Sequence, residues 1–243
     1  MTDTATSAPA TPEAPKGLFS RVLGIFFTPR ATYAEVAARP RWFGVLAISS
    51  IVIAGGFYFL LSSDSGQRAL LDQQTQIIES FGVKLPEAAL ERMEEGIQRA
   101  KYTTPISQLI AIPLGSVVVA GILLGVFNAL LGGDARFKQV FAIVAHSTLI
   151  GALQNTFARP INYFKETISS PTSLSELLPF FDEKSFLGYL AGMVDLFAIW
   201  SILSLAIGLA VLYKRRTAPV ATTMFVIYFV IVAAIAAVRA AFS

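Results

Sequence analysis

Apolar residues fall along this chain in long runs, separated by short basic segments and two long polar loops. A helix needs about 20 predominantly apolar residues to cross the hydrocarbon core of a bilayer. Five runs are read as spans: 42–61, 106–131, 140–158, 186–213 and 220–238. They predict an all-α polytopic membrane protein, a bundle of five transmembrane helices. The fourth run, Phe186 to Tyr213, holds one charged side chain, Asp195, and stops at Lys214-Arg215-Arg216.

The segments between the runs carry their own signals. Residues 1–16 are mostly Ala, Thr, Pro and Glu, too poor in large apolar side chains to offset the cost of ordering, and predict a disordered cytoplasmic tail. Residues 17–41 predict amphipathic or interfacial helices. Leu18, Phe19, Val22, Leu23, Phe26 and Phe27 recur at helical spacing, while Ser20, Arg21 and Gly24 fall elsewhere. This stretch is too short to span. It can lie flat in the interface, apolar face down, with Arg21 favouring anionic lipid, or it can pack on the bundle. Thr28-Pro29 reads as an N-cap followed by proline at the first helical position. Residues 62–105 hold amphipathic stretches at 67–81 and 86–101, predicting a helical hairpin outside the bilayer. Its seven acids and five bases read as a solvated face.

Within the spans, Pro113 is a candidate kink, and Gly121 and Gly125 form a small-xxx-small pair suited to close helix packing. The third span is the most polar, with His146, Gln154 and Asn155. The loop after it contains Ser173-Leu174-Ser175-Glu176, a capping-box pattern.

Orientation follows from the basic loops, since Lys and Arg are retained on the cytoplasmic face. With the N-terminus inside, the cytoplasmic segments hold ten bases, Lys16, Arg21, Arg30, Arg39, Arg41, Arg136, Lys138 and Lys214 to Arg216, against four acids. Five spans then place the C-terminus outside.

Composition agrees with a membrane protein. Only 14% of the 243 residues are charged, whereas soluble domains carry roughly 25%. A net charge of +3, scattered along the chain, supplies no basic stripe for nucleic acid. With no cysteine and one histidine, the chain has no thiol nucleophile or thiolate site and a poor supply for a histidine metal site. No phosphate loop, H-E-x-x-H or G-x-S-x-G motif occurs, so no cofactor, metal or catalytic residue is predicted.

Asp195 is the sharpest chemical signal, because an ionisable group inside a span is costly. On a continuous helix, Gly188 and Gly192 lie seven and three positions back, on nearly the same face. That places Asp195 on a small-residue face against another helix. It is either a proton or cation site in a transport path or a buried acid hydrogen-bonded to a neighbour. His146 lies roughly 12 Å away in depth, whereas Gln154 and Asn155 lie at matching depth. The predicted partner is therefore Gln154 or Asn155.

Three stretches, FFTPRATYAEVAARPRW, GGDARFKQVFAIVAHSTLIGAL and VDLFAIWSILSLAIGLAVLYKRRTAPVAT, resemble the Yip family, five-span proteins named for interaction with Ypt/Rab GTPases, and look like its bacterial branch. The resemblance covers roughly 17–61 and 106–240. It implies a non-enzymatic scaffold or adaptor in membrane organisation or trafficking-like partner recruitment, in the inner membrane if the source is bacterial. Its partners would be the lipid bilayer and another protein or a second copy, met through transmembrane helices. A small-solute or proton-coupled transporter using Asp195 is the rival expectation.

Overall fold

A computed structural model describes residues 17–178, 180–182 and 184–242, so the predicted tail at 1–16 lies outside the described residues. Among the described residues ten helices follow in order: α1 Leu18–Phe27, α2 Pro29–Ala38, α3 Phe43–Leu61, α4 Asp64–Glu79, α5 Glu87–Leu131, α6 Phe137–Lys165, α7 Leu174–Leu177, α8 Phe186–Met193, α9 Leu196–Leu212 and α10 Thr217–Phe242. Among the described residues the one β feature is an isolated antiparallel bridge between Ser173 and Asp195. Four helices are long and apolar enough to cross a membrane: α3, α5, α6 and α10.

Two expectations are corrected here. The predicted fourth span is not one helix. It is α8 and α9, interrupted at Val194-Asp195, with Asp195 as the N-cap of α9. The physical reason is local: Asp competes with the backbone inside a helix but is among the best N-caps, where its carboxylate takes up free amides. The extramembrane hairpin is also not separate from the second span. Its second helix runs on without a break, so α5 is 45 residues long and contains both Pro105 and Pro113. At 1.5 Å per residue it extends about 68 Å, twice the thickness of the hydrocarbon.

α6 is the centre of the bundle, packing against α1, α2, α3, α5 and α9. It is the most polar of the long apolar helices and the most buried, which is how polar side chains are kept from lipid. Its buried face, including Val140, Ile143, Val144 and Leu149, meets Val45 and Leu46 of α3, Phe127 of α5 and Leu209 of α9 in one core. The outer helices show the opposite arrangement. On α5, Ile110, Leu114, Val118 and Ile122 stand exposed at four-residue intervals, an apolar stripe suited to hydrocarbon.

α2 packs on α9 and α6 and is sealed there by Tyr33, which is fully buried with its hydroxyl 2.8 Å from Ser204 Oγ. Burial pushes the Tyr33 phenol above its ordinary pKa, with the Ser204 bond opposing. Close approach here requires glycine: a Cβ at Gly208 would meet Ile143 Cγ2 and the Tyr33 ring. Gly121 and Gly125 differ, since a Cβ at either meets nothing within 4 Å. The predicted small-residue pair therefore packs on no other element among the described residues.

Gly208→Val should cost about 1–3 kcal/mol through overpacking, whereas Gly121→Ala, a better helix former facing open space, should cost nothing. Thermal unfolding of the purified protein in detergent checks this. Equal midpoints for the two variants would contradict the packing described.

Candidate functional site

The chemistry-bearing residues collect at the break between α8 and α9. A helix interrupted among apolar helices leaves backbone amides and carbonyls without partners, and each must find one nearby. The Asp195 side chain supplies part of the answer. Its Oδ1 accepts from the Phe197 and Ala198 amides, at 2.8 and 3.2 Å. The loop after α6 supplies the rest. Leu174 N–H donates to Val194 O at 2.7 Å, and Leu196 N–H donates to Thr172 O at 3.2 Å. From the other side, the Tyr228 hydroxyl of α10 donates to Met193 O at 2.8 Å.

Three side chains complete the environment of Asp195. Gln154 Nε2 donates to Oδ1 at 3.0 Å, and the hydroxyls of Ser170 and Thr172 donate to Oδ2 at 2.5 and 2.6 Å. Gln154 Nε2 also reaches Ser170 Oγ at 3.2 Å. A carboxylate offers about four lone-pair sites, and five donors here occupy them. Asp195 is thus a clasp joining α6, the 166–173 loop and the start of α9. The end of α6 is tied to the same loop by Lys165 Nζ and Glu176 Oε2, 2.9 Å apart and partly exposed. Ser173 Oγ accepts from the Glu176 amide at 3.4 Å, one half of the predicted capping box, while the Glu176 carboxylate turns to Lys165.

Of the polar residues singled out in the spans, Asp195 and Gln154 are brought together. Asn155 lies beside them on α6, buried, with Oδ1 unpartnered and set where a Cβ at Gly56 would collide with it. A cavity of about 120 Å³ adjoins the clasp, lined in part by Gln154, Asn155, Arg159 and Ser170. Gly188 and Gly192 do not share a helix with Asp195. The Gly188 amide instead donates to Ser185 Oγ, the cap of α8, and Gly192 faces Ser175 Oγ.

His146 belongs to a different cluster. Its Nδ1 lies 2.7 Å from Ala142 O and its Nε2 lies 3.4 Å from Arg21 Nη1. A carbonyl can only accept and a guanidinium can only donate, so both contacts are met by the tautomer protonated at Nδ1. Arg21 is accordingly not a lipid contact. It is buried, donates to Arg41 O at 2.6 Å and faces the bundle. Burial pulls its guanidinium below the ordinary range, with Glu35 opposing and Arg41 adding to the effect. The rest of α1 divides. Val22 and Phe26 pack on the core, while Leu18, Phe19, Leu23 and Phe27 stay exposed. One face of α1 thus packs on the bundle and the other stands exposed.

Ser170, Thr172 and Tyr228 escaped the sequence reading. The first two were visible as a hydroxyl-rich run, Ser169-Ser170-Pro171-Thr172-Ser173, but nothing in a linear pattern draws such a loop to an acid in a later span. Among the described residues no group of three or more His, Cys, Asp or Glu side chains gathers as a metal-ligating set.

Asp195→Ala removes an N-cap, typically about 1 kcal/mol, and strands buried donors at about 1–3 kcal/mol more. A loss of about 2–4 kcal/mol in unfolding free energy is expected. Asp195→Asn keeps the cap and presents its amide to two hydroxyls that can accept, so it should stay close to wild type. An alanine variant as stable as wild type would rule out the clasp.

A family model described as the Yip1 domain matches residues 23–238. No curated protein and no solved structure matches the chain.

Proposed function

The chain belongs to the Yip1 domain family, and from that premise we propose that it is a non-enzymatic membrane scaffold or adaptor, recruiting a protein partner through α1 and through lipid-facing helices. The observation that carries this reading is α1 itself. Phe19 and Phe27 are 75% and 79% exposed on a helix whose other face is anchored by Arg21 to Arg41 and His146. An apolar surface held this firmly presents itself to lipid or to a partner helix. The N-terminal segment faces the cytoplasm in this reading. The short turns at 132–136 and 213–216, both at one end of the bundle, carry Arg136 and Lys214 to Arg216.

A proton-coupled or ion transporter is the second reading, favoured by the interrupted helix, since carriers build substrate sites at such breaks. The occupancy of Asp195 weighs against it. Five donors leave its carboxylate no free position for a passenger, and the break is closed by backbone bonds to a loop.

Two measurements separate the readings. A photo-crosslinking amino acid at Phe19 or Phe27 in intact cells should capture a discrete protein, and adducts with lipid alone would contradict recruitment through α1. Asp195→Asn should be silent in growth and localisation. A well-folded but inactive asparagine variant, with cation flux in wild-type proteoliposomes that the variant lacks, would put the transporter first. For orientation, a cysteine at Lys84 should react with an impermeant thiol reagent outside intact cells and one at Asp134 should not. The reverse pattern would invert the topology.

A further inference from the structure

α2 crosses the end of the bundle at which α9 finishes and α10 begins. Between them lies a groove of about 760 Å³ lined by Arg30, Lys214, Arg215 and Arg216, with small apolar residues and Thr217, and no acid in its lining. A second groove of about 710 Å³ shares Lys214 and Arg215 and extends the basic surface to Arg136 and Lys138, with Asp134 its one acid. Topology alone accounts for bases at this end of the spans, but not for their convergence on one concavity. The turn between α9 and α10 brings that about. The Arg215 amide returns to Ala210 O at 2.8 Å and the Lys214 amide to Val211 O at 3.2 Å, reversing the chain. Lys214 takes the left-handed conformation, φ 53°, at a helix C-terminus where glycine is the usual residue.

We propose that this groove binds the headgroup of an anionic phospholipid. The charge fits a phosphodiester, and Thr217 at the N-terminus of α10 adds the positive end of a helix dipole. Depth favours lipid over a soluble anion. α5 and α9 end, and α6 and α10 begin, within a few residues of the groove, so it sits where hydrocarbon gives way to headgroups. Further along α10, which begins at Thr217, the exposed Val226 and Val230 mark a helix suited to hydrocarbon. This inference stands apart from the scaffold reading and requires neither a partner protein nor a particular leaflet.

Native mass spectrometry of the full chain in detergent, with phosphatidylglycerol and phosphatidylcholine in equal amounts, tests it. Phosphatidylglycerol should be retained more than about tenfold over phosphatidylcholine, as three or more surface bases predict. The triple variant Arg30→Gln, Lys214→Gln, Arg216→Gln should lose that preference. Lys84→Gln with Arg92→Gln, exposed bases of the α4–α5 hairpin, should keep it. Lys214→Gly removes one charge while suiting the left-handed backbone, so it folds at least as well and should lower retention about threefold to fivefold. Equal retention of the two lipids by wild type would overturn the proposal, as would a preference surviving in the triple variant. Displacement of the lipid by millimolar inorganic phosphate would also overturn it, in favour of a soluble anion.

Discussion

A helix interrupted inside a packed apolar bundle must find partners for its freed backbone groups, because an unpaired buried N–H or C=O is costly. In this protein the interruption falls at Val194-Asp195, and the surroundings are arranged to close it. Asp195 caps α9, Thr172 and Leu174 make backbone bonds across the gap, and Tyr228 covers the last carbonyl of α8. The loop can do this because Gln154, Ser170 and Thr172 converge on the Asp195 carboxylate. An acid that is costly in isolation becomes the fastening of a broken span.

Other buried polar groups follow the same rule in part. Arg21 is kept beside Arg41 O and His146, and Tyr33 beside Ser204, so α1 and α2 enter the bundle with most of their polar atoms engaged. α6 carries the receiving groups for both ends of the molecule. His146 serves α1, and Gln154 serves the clasp two turns further along the helix. This division explains why the most polar long helix is also the most central. In the proposed reading, function is left to the periphery: the outward face of α1, the exposed apolar stripes and the basic end of the bundle.

Much of this was legible in the sequence. Long apolar runs specify an all-helical membrane protein, and depth along the third and fourth runs singled out Gln154 or Asn155 as the neighbour of Asp195. The structure joins Gln154 to it and leaves Asn155 against Gly56. The break itself was missed because an apolar run reads as continuous, although Asp before Leu196 to Trp200 is an N-cap signal as well as a buried charge. Once the helix is assumed whole, its phase places Gly188 and Gly192 on the wrong face. The fusion of the hairpin into α5 was hidden by the polar stretch ending at Pro105, a proline that tertiary context tolerates inside the helix. Arg21 was read as a headgroup contact because helical periodicity gives a face and not the object it faces.

Amide hydrogen exchange tests the closure of the break most directly. In the wild-type protein the amides of Leu174, Leu196, Phe197 and Ala198 should exchange as slowly as those of the α6 core, because the first two are bonded across the gap and the last two to the Asp195 carboxylate. In Asp195→Ala these four should become fast while α3 and α6 remain protected. Fast exchange at these amides in the wild type would contradict the account, showing the break to be open rather than fastened.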